Sequence, residues 1–226
     1  VLVINCGSSS IKYQVLDMKN DEEFALIAKG NLERVGLQDA TLTHKPTGRT
    51  PWKHTEYVSD HKQGMRMVLD ALVDSEHGVL KSFSDIEAVG HRVVQGADFF
   101  SGSVLVDDDV LSKIQICCDF APLHNPAHLL GIAAVSQVLP GVPQAVTFDT
   151  AFHQTMEPVS YMYALPYEWY TKYHIRRYGA HGTSHRYVSY HGAKFAGLDI
   201  NHSRIITCHL GNGSSVSAIK DGKVVD

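Results

Sequence analysis

The sequence holds no apolar stretch approaching the roughly 18 residues a membrane span needs, so no bilayer crossing is expected. It has no dense Lys/Arg tract. Twenty basic residues face 24 acidic ones, a net charge of −4, which excludes nucleic acid as the main expected partner. Cysteine is scarce: Cys6, Cys117, Cys118 and Cys208 form no CxxC and no regular framework. They read as reduced thiols in a cytoplasmic protein. Glycine (18) and proline (8) stay near background, which excludes a collagen-like chain. The opening VLVINCG is strand-like, with no basic segment leading into a long apolar one, so no secretory signal is expected. With 44% hydrophobic and 19% charged residues over 226 positions, the composition is that of a globular protein with one large domain or two small ones.

Histidine is what the chain has in excess, with 14 residues. His181 and His185 stand at i, i+4, but H-E-x-x-H is absent, Gly182 follows the first, and the segment reads as a loop. Zinc binding by histidine is therefore not favoured. The periodicity is mixed α/β. Strands are expected at 1–4 and 12–16, joined through CGSSS as a hairpin, and at 24–35, with further strands and loops over 36–58. Met65, Val68, Leu69 and Leu72 mark one face of a helix over 61–74. A buried strand is expected at 86–89, and a helix at 107–117 opening on three aspartates. Pro126 sits at the first turn of a helix over 125–138, and a strand over 143–148 delivers Asp149. Residues 151–180 are rich in Tyr and Trp; then come a helix at 184–196, a strand at 204–210 and a hairpin turning on Asp221-Gly222. NCGSSSIKYQV and HLGNGSSVSAI both read strand, Gly/Ser turn, strand, which suggests two related units, 1–150 and 151–226.

Six segments could carry chemistry. In Asn5–Lys12, the glycine admits close approach, the turn amides can form an anion nest, Ser8 and Ser10 add hydroxyls, and Lys12 adds charge. That suits a polyphosphate, although an ordinary hairpin would look the same and G-x-x-x-x-G-K-[ST] is absent. His209, Leu210, Gly211, Asn212 and Gly213 repeat the theme. Arg92, read as just after a buried strand, can hold a carboxylate or phosphate bidentately or form a surface salt bridge, with Val94 as an apolar wall. Asp149, at a strand's C-terminal end, can act as a base, orient a nucleophile, hold a magnesium-bound water, or simply cap a helix. His181 can donate to a developing phosphoryl charge. Leu123 and His124 offer an apolar surface and a donor, or only a rigid loop before a helix.

In order, VINCGSSSIKYQV, GHRVVQG, APLHNPAHLLGI, FDTAFHQTM, RRYGAHGTSHRYV and HLGNGSS give the chain, end to end, a sequence that resembles the acetate/propionate kinase family of the acetate and sugar kinase/Hsp70/actin superfamily. The resemblance implies an α/β, ribonuclease H-like/actin-like ATPase fold with a duplicated βββαβαβα-type core. Residues 1–150 would be the N-terminal actin-like domain and 151–226 the incomplete start of the second. It implies reversible, Mg²⁺- (or Mn²⁺-) dependent in-line transfer from ATP to acetate, giving ADP and acetyl phosphate, in a cytoplasmic homodimer. By motif match Asn5 lies near the metal; Lys12 and His209 to Gly213 near the nucleotide; Arg92 on the acetate carboxylate; Asp149 is the catalytic aspartate and His181 the transition-state stabiliser. Acetate is already ionised at neutral pH, so alignment and charge stabilisation should dominate, and Asp149 is better suited to orienting than to taking a proton. The alternatives are a propionate (short-chain acyl) kinase or an inactive nucleotide-binding fragment. Family members are nearly twice as long, and the second catalytic arginine, adenine-binding segments and magnesium-binding glutamate have no counterpart here. The 226 residues alone are thus expected to be inactive. Gln95 and Ala97 stand where the family often has His and Gly.

Overall fold

The structure, a computed structural model, describes residues 1–20 and 23–226. Strands β1 (Leu2–Gly7) and β2 (Ser10–Met18) pair antiparallel from Leu2↔Val15 to Gly7↔Ser10, leaving only Ser8 and Ser9 as the turn. The ladder runs further than the sequence suggested because Cys6 and Ile11 continue the alternation on the buried side. Leu2, Ile4, Cys6, Ile11, Tyr13 and Val15 are all buried there. β3 (Phe24–Glu33), β4 (Ala40–Pro46) and β5 (Trp52–Glu56) extend the sheet outward as antiparallel neighbours.

Helix α1 (His61–Val73) opens where the Asp60 carboxylate accepts a 2.8 Å bond from the amide of Gln63. Met65, Val68, Leu69 and Leu72 are fully buried, the face expected from their spacing. β6 (Val89–Val93) pairs parallel to β1, with Leu2↔Val89 and Ile4↔His91. It begins later than the apolar run at 86 suggested. The Asp85 carboxylate accepts the Lys81 and Ser82 amides, a single 3₁₀ turn forms over Phe83–Asp85, and Ile86 ends that turn. Arg92 consequently lies inside β6 rather than after it.

β7 (Val104–Leu105) is followed by α2 (Asp108–Ile116), capped by Asp107, and by α3 (Asn125–Val138), with proline in its first turn. β8 (Gln144–Phe148) completes a sheet of order β5-β4-β3-β2-β1-β6-β8-β7. Gly131 of α3 faces Cys6 so closely that a Cβ there would overlap the Cys6 sulfur. Burial pushes that thiol up to about 12.

The chain divides into two compact units, 1–93 with 104–146, and 94–103 with 147–226. The second unit contains α4 (Pro158–Tyr161), α5 (Tyr167–Tyr173), α6 (Gly182–Phe195) and a sheet of β9 (Arg204–His209), β10 (Ser215–Lys220) and β11 (Lys223–Val224) in the order β11-β10-β9. Met156, Ile219 and Val224 form its small core with Phe152, Tyr161 and Ile205. Asp98 holds the 94–103 segment to this unit by accepting the Tyr170 hydroxyl (3.3 Å) and meeting His174 Nδ1 (3.2 Å). The guanidinium of Arg176 lies 3.6 Å from the Tyr161 ring centroid, so part of the aromatic run serves packing.

The β9–β10 pair inverts the usual pattern. Thr207 and Ser217 are buried, while Ile206 and Val216 are 72% and 62% exposed. Helix α6 starts two residues earlier than expected, at Gly182, so the segment from 181 to 185, read as a loop, is its N-cap and first turn. Among the described residues no helix is long and apolar enough to cross a membrane.

Candidate active site

In the first unit, register decides which side chains share a face. Ile4 and His91 are partners across β1 and β6 and both are buried, so the next residues, Asn5 and Arg92, project to the opposite face of the sheet. Lys12 stands directly across β2 from Asn5, and Ser10 from Gly7. Asn5, Ser10, Lys12 and Arg92 therefore lie on one face, the one turned away from Cys6 and α3. Asn31 joins the same row by pairing with Lys12, and its Oδ1 is buried without a hydrogen-bond partner among the described residues. No motif marked Asn31; only the ladder register reveals it. Leu123 and His124 precede α3, His124 as its N-cap and Leu123 with 80% of its surface exposed.

In the second unit, Asp149 follows β8 directly and is buried. Its carbonyl accepts the amide of Gly182 at 2.9 Å, and its Oδ1 accepts the Thr183 hydroxyl at 3.3 Å. The start of α6 is thus fixed to the end of β8. Between them sits His181, at φ 55° and ψ 30°. A non-glycine residue in this left-handed region costs on the order of 1 kcal/mol or more and persists where surrounding contacts enforce it.

Those contacts are specific. The imidazole of His181 stacks on that of His209 with centroids 4.0 Å apart, and His209 Nδ1 lies 2.9 Å from Ser184 Oγ. His181 Nδ1 is 2.8 Å from Ser215 Oγ, which is itself 2.7 Å from His185 Nε2; His185 Nδ1 is 2.7 Å from Thr207 Oγ1. Burial, followed by the neighbouring His181 and His209, lowers the His185 pKa. His153, hydrogen-bonded to Ser217 Oγ at 2.9 Å, is lowered to about 4, chiefly by burial. The sequence assigns chemical roles to His181 and His209, offers His185 only as a disfavoured zinc ligand, and gives no role to Ser215, Thr207 or Ser184.

The two glycine turns differ in construction. The first is two residues long, whereas five residues, Leu210 to Ser214, separate β9 from β10. Neither places a residue at positive φ, so glycine there provides clearance rather than a left-handed backbone. At Gly213, an added Cβ would come 3.4 Å from His181 Cε1, so the turn leans on the imidazole itself. Leu210 is 76% exposed, and Gly211 and Asn212 are exposed beside it.

The expected site residues thus fall into two groups. Asn5, Ser8, Ser10, Lys12, Arg92, Leu123 and His124 belong to the first unit; Val94, Asp149, His181 and His209 to Gly213 belong to the second. Within the second, Asp149, His181, His209 and Gly213 are brought together by direct contacts through the start of α6.

Known proteins resemble this chain in sequence and in fold. The chain is 54% identical over 226 residues to an acetate kinase of Thermoanaerobacter pseudethanolicus, a match covering all of this chain and 56% of the relative. It is likewise 54% identical to acetate kinase 2 of Clostridium perfringens, again over 56% of that relative. The chain therefore spans about half the length of the curated relatives it matches. Among solved structures, the acetate kinase of Porphyromonas gingivalis superposes with a TM-score of 0.92 at 44% identity, and a propionate kinase of Francisella tularensis with 0.87 at 42%. Each comparison covers all of this chain and 56% of the other. The fold is accordingly that of these kinases, mixed α/β and actin-like. A model of the acetokinase family matches residues 1–226 without interruption, and the chain belongs to that family.

Proposed function

We propose that this chain carries the acyl-acceptor and phosphoryl-stabilising residues of an acetate kinase, which transfers the γ-phosphoryl of ATP reversibly to acetate. The observation that carries the reading is the fixation of His181, in a strained conformation, between the buried Asp149 and the glycine turn after β9. Acetate is an anion at neutral pH, so the attacking oxygen needs placing more than deprotonating. Arg92 is assigned to its carboxylate, because a guanidinium offers two parallel donors to two oxygens. Val94 and Leu123 are assigned to the methyl group, and His124 to a donor role beside Leu123. Lys12, Ser8 and Ser10, with His209 to Gly213, are assigned to the nucleotide phosphates. His181 donates to the equatorial oxygens of the phosphoryl group in flight, where charge is spread in a loose transition state. Asp149, buried and bonded to Thr183, orients rather than accepts a proton.

The reading carries a Mg²⁺ (or Mn²⁺) ion with it, and the donors present fit one. Each unit carries a hard oxygen donor of the kind such an ion takes, Asn5 in the first and Asp149 in the second. Lys12 beside Asn5 suits an ion that arrives on the polyphosphate. When bound, such an ion neutralises charge on the β- and γ-phosphate oxygens. A homodimer in the cytoplasm completes the proposal.

Propionate is the competing acceptor, because one solved relative is a propionate kinase, although the acetate kinase superposes better. One methylene changes discrimination by only about 1–3 kcal/mol, and Val94 favours the smaller acid. The test is a kcat/KM series over C2 to C4 acids with the protein expressed from its complete reading frame. Acetate should rank first; propionate ranking first would reassign the substrate.

A further inference from the structure

We propose that Ser215 and His185 are positioning residues that hold His181 in the tautomer bearing its proton on Nε2. The inference rests on the reading of His181 given above. The three side chains and Thr207 form one uninterrupted chain of hydrogen bonds: Thr207 Oγ1 to His185 Nδ1 at 2.7 Å, His185 Nε2 to Ser215 Oγ at 2.7 Å, Ser215 Oγ to His181 Nδ1 at 2.8 Å. His185 and Thr207 are buried, so water does not compete for these groups.

A hydroxyl has one proton, and a neutral imidazole has one donor and one acceptor nitrogen. With the Ala180 carbonyl also 3.4 Å from Ser215 Oγ, three arrangements are possible. In the first, every proton points outward. Thr207 donates to His185 Nδ1, His185 Nε2–H donates to Ser215 Oγ, and Ser215 donates to His181 Nδ1, leaving the His181 proton on Nε2. In the second, every proton points inward, and His181 Nε2 is left with a lone pair. In the third, Ser215 accepts from both imidazoles and turns its own proton to Ala180, which also leaves a lone pair on His181 Nε2.

Thr207 excludes the second. Its hydroxyl makes one hydrogen bond, to His185. In the inward arrangement that hydroxyl only accepts, and its own proton is buried with nowhere to go, which is costly. In the outward arrangement the proton is used, and only a lone pair is left over. Ser215 argues against the third: its proton would go to the Ala180 carbonyl at 3.4 Å, beyond the usual O–H···O range, instead of to His181 Nδ1 at 2.8 Å. The outward chain thus presents an N–H donor at His181 Nε2, the polarity an electron-rich phosphoryl oxygen requires. The inward chain would aim a lone pair at it.

The experiment is long-range ¹H–¹⁵N correlation of the imidazoles in histidine-labelled protein expressed from its complete reading frame, with His181 assigned from the signals lost in His181→Gln. The expected spectrum shows an unprotonated, hydrogen-bond-accepting Nδ1 and a protonated Nε2. In Ser215→Ala the ring should populate both tautomers, and kcat should fall on the order of 10- to 100-fold with the acetate KM within about 2-fold, the scale seen when an orienting partner is removed. Ser215→Thr, which keeps the hydroxyl, should restore both. Thr207→Val, isosteric and one link further away, should shift the tautomers in the same direction, and it serves if Ser215→Ala folds poorly. A proton on Nδ1 in the unsubstituted protein, or an unchanged tautomer in both Ser215→Ala and Thr207→Val, overturns the proposal. A tautomer shift with kcat unchanged would uphold the chain of bonds and overturn instead the role assigned to His181.

Discussion

The amide of Gly182 donates to the carbonyl of Asp149 at 2.9 Å, and the two backbones meet so closely that a Cβ at 182 would overlap that carbonyl oxygen. This backbone bond, with the Thr183 hydroxyl on the Asp149 carboxylate, joins the end of β8 to the start of α6, and the side chains on either side of it are those assigned to chemistry. Gly182→Ala should therefore separate them. We expect at least a 10-fold loss of kcat, on the order of 1.4 kcal/mol in the barrier. Gly192, in the same helix, has no atom within 4 Å of its would-be Cβ. Gly192→Ala should leave kcat unchanged and raise stability by up to about 1 kcal/mol through helix propensity. Paired kinetics and denaturation of the two variants check this.

Gly131 of α3 makes a similar contact with Cys6 of β1. Gly131→Ala gains propensity but forces the helix off the strand, and overpacking of this kind costs about 1–3 kcal/mol. The expected net effect in urea denaturation is a loss. Adding Cys6→Ala removes the clashing sulfur and should recover part of it; a double variant no better than the single would show that the contact is not the cause.

His91 gives the first unit an acid sensitivity. It is buried, its Nε2 is 2.7 Å from Gln144 Oε1, and burial lowers its pKa to about 4 against an ordinary 6.5. The folded state thus resists a proton that the unfolded state accepts. The stability this confers is complete above the unfolded value and is lost progressively as pH falls from about 6.5 toward 4, by up to about 3 kcal/mol. Denaturation midpoints measured across that window should fall with acid, and His91→Gln should flatten the slope.

Arg92 shares its sheet face with Asn5 and Lys12, which fits a role in holding an anion. Arg92→Ala should raise the acetate KM by about 10- to 100-fold, the worth of a charge-assisted hydrogen-bonded pair. Arg92→Lys should recover only part, since an ammonium cannot make the bidentate contact. An unchanged acetate KM in Arg92→Ala would remove Arg92 from the site.

Much of the scaffold was legible in the sequence because local signals agreed. Asp60 and the spacing of Met65, Val68, Leu69 and Leu72 define α1, and Asn125-Pro126 fixes the start of α3. The failures have physical causes. The apolar run from Ile86 resembles one strand, but the Asp85 carboxylate captures two preceding amides and turns the chain first. The start of α6 reads as a loop because its N-cap is a left-handed histidine followed by glycine. The chain of bonds from Thr207 to His181 carries no linear signature. Its members lie 22, 30 and 34 positions apart and meet through the β9–β10 register, which pairs Thr207 with Ser217 and His209 with Ser215.

The central claim is tested most directly by trapping acyl phosphate formed from Mg-ATP and acetate by the protein expressed from its complete reading frame, beside His181→Gln and Asp149→Asn. The account predicts acetyl phosphate from the unsubstituted protein and a loss of kcat on the order of 100-fold or more in both variants. No acyl phosphate from any C2 to C4 acid, or full turnover in His181→Gln, would contradict it.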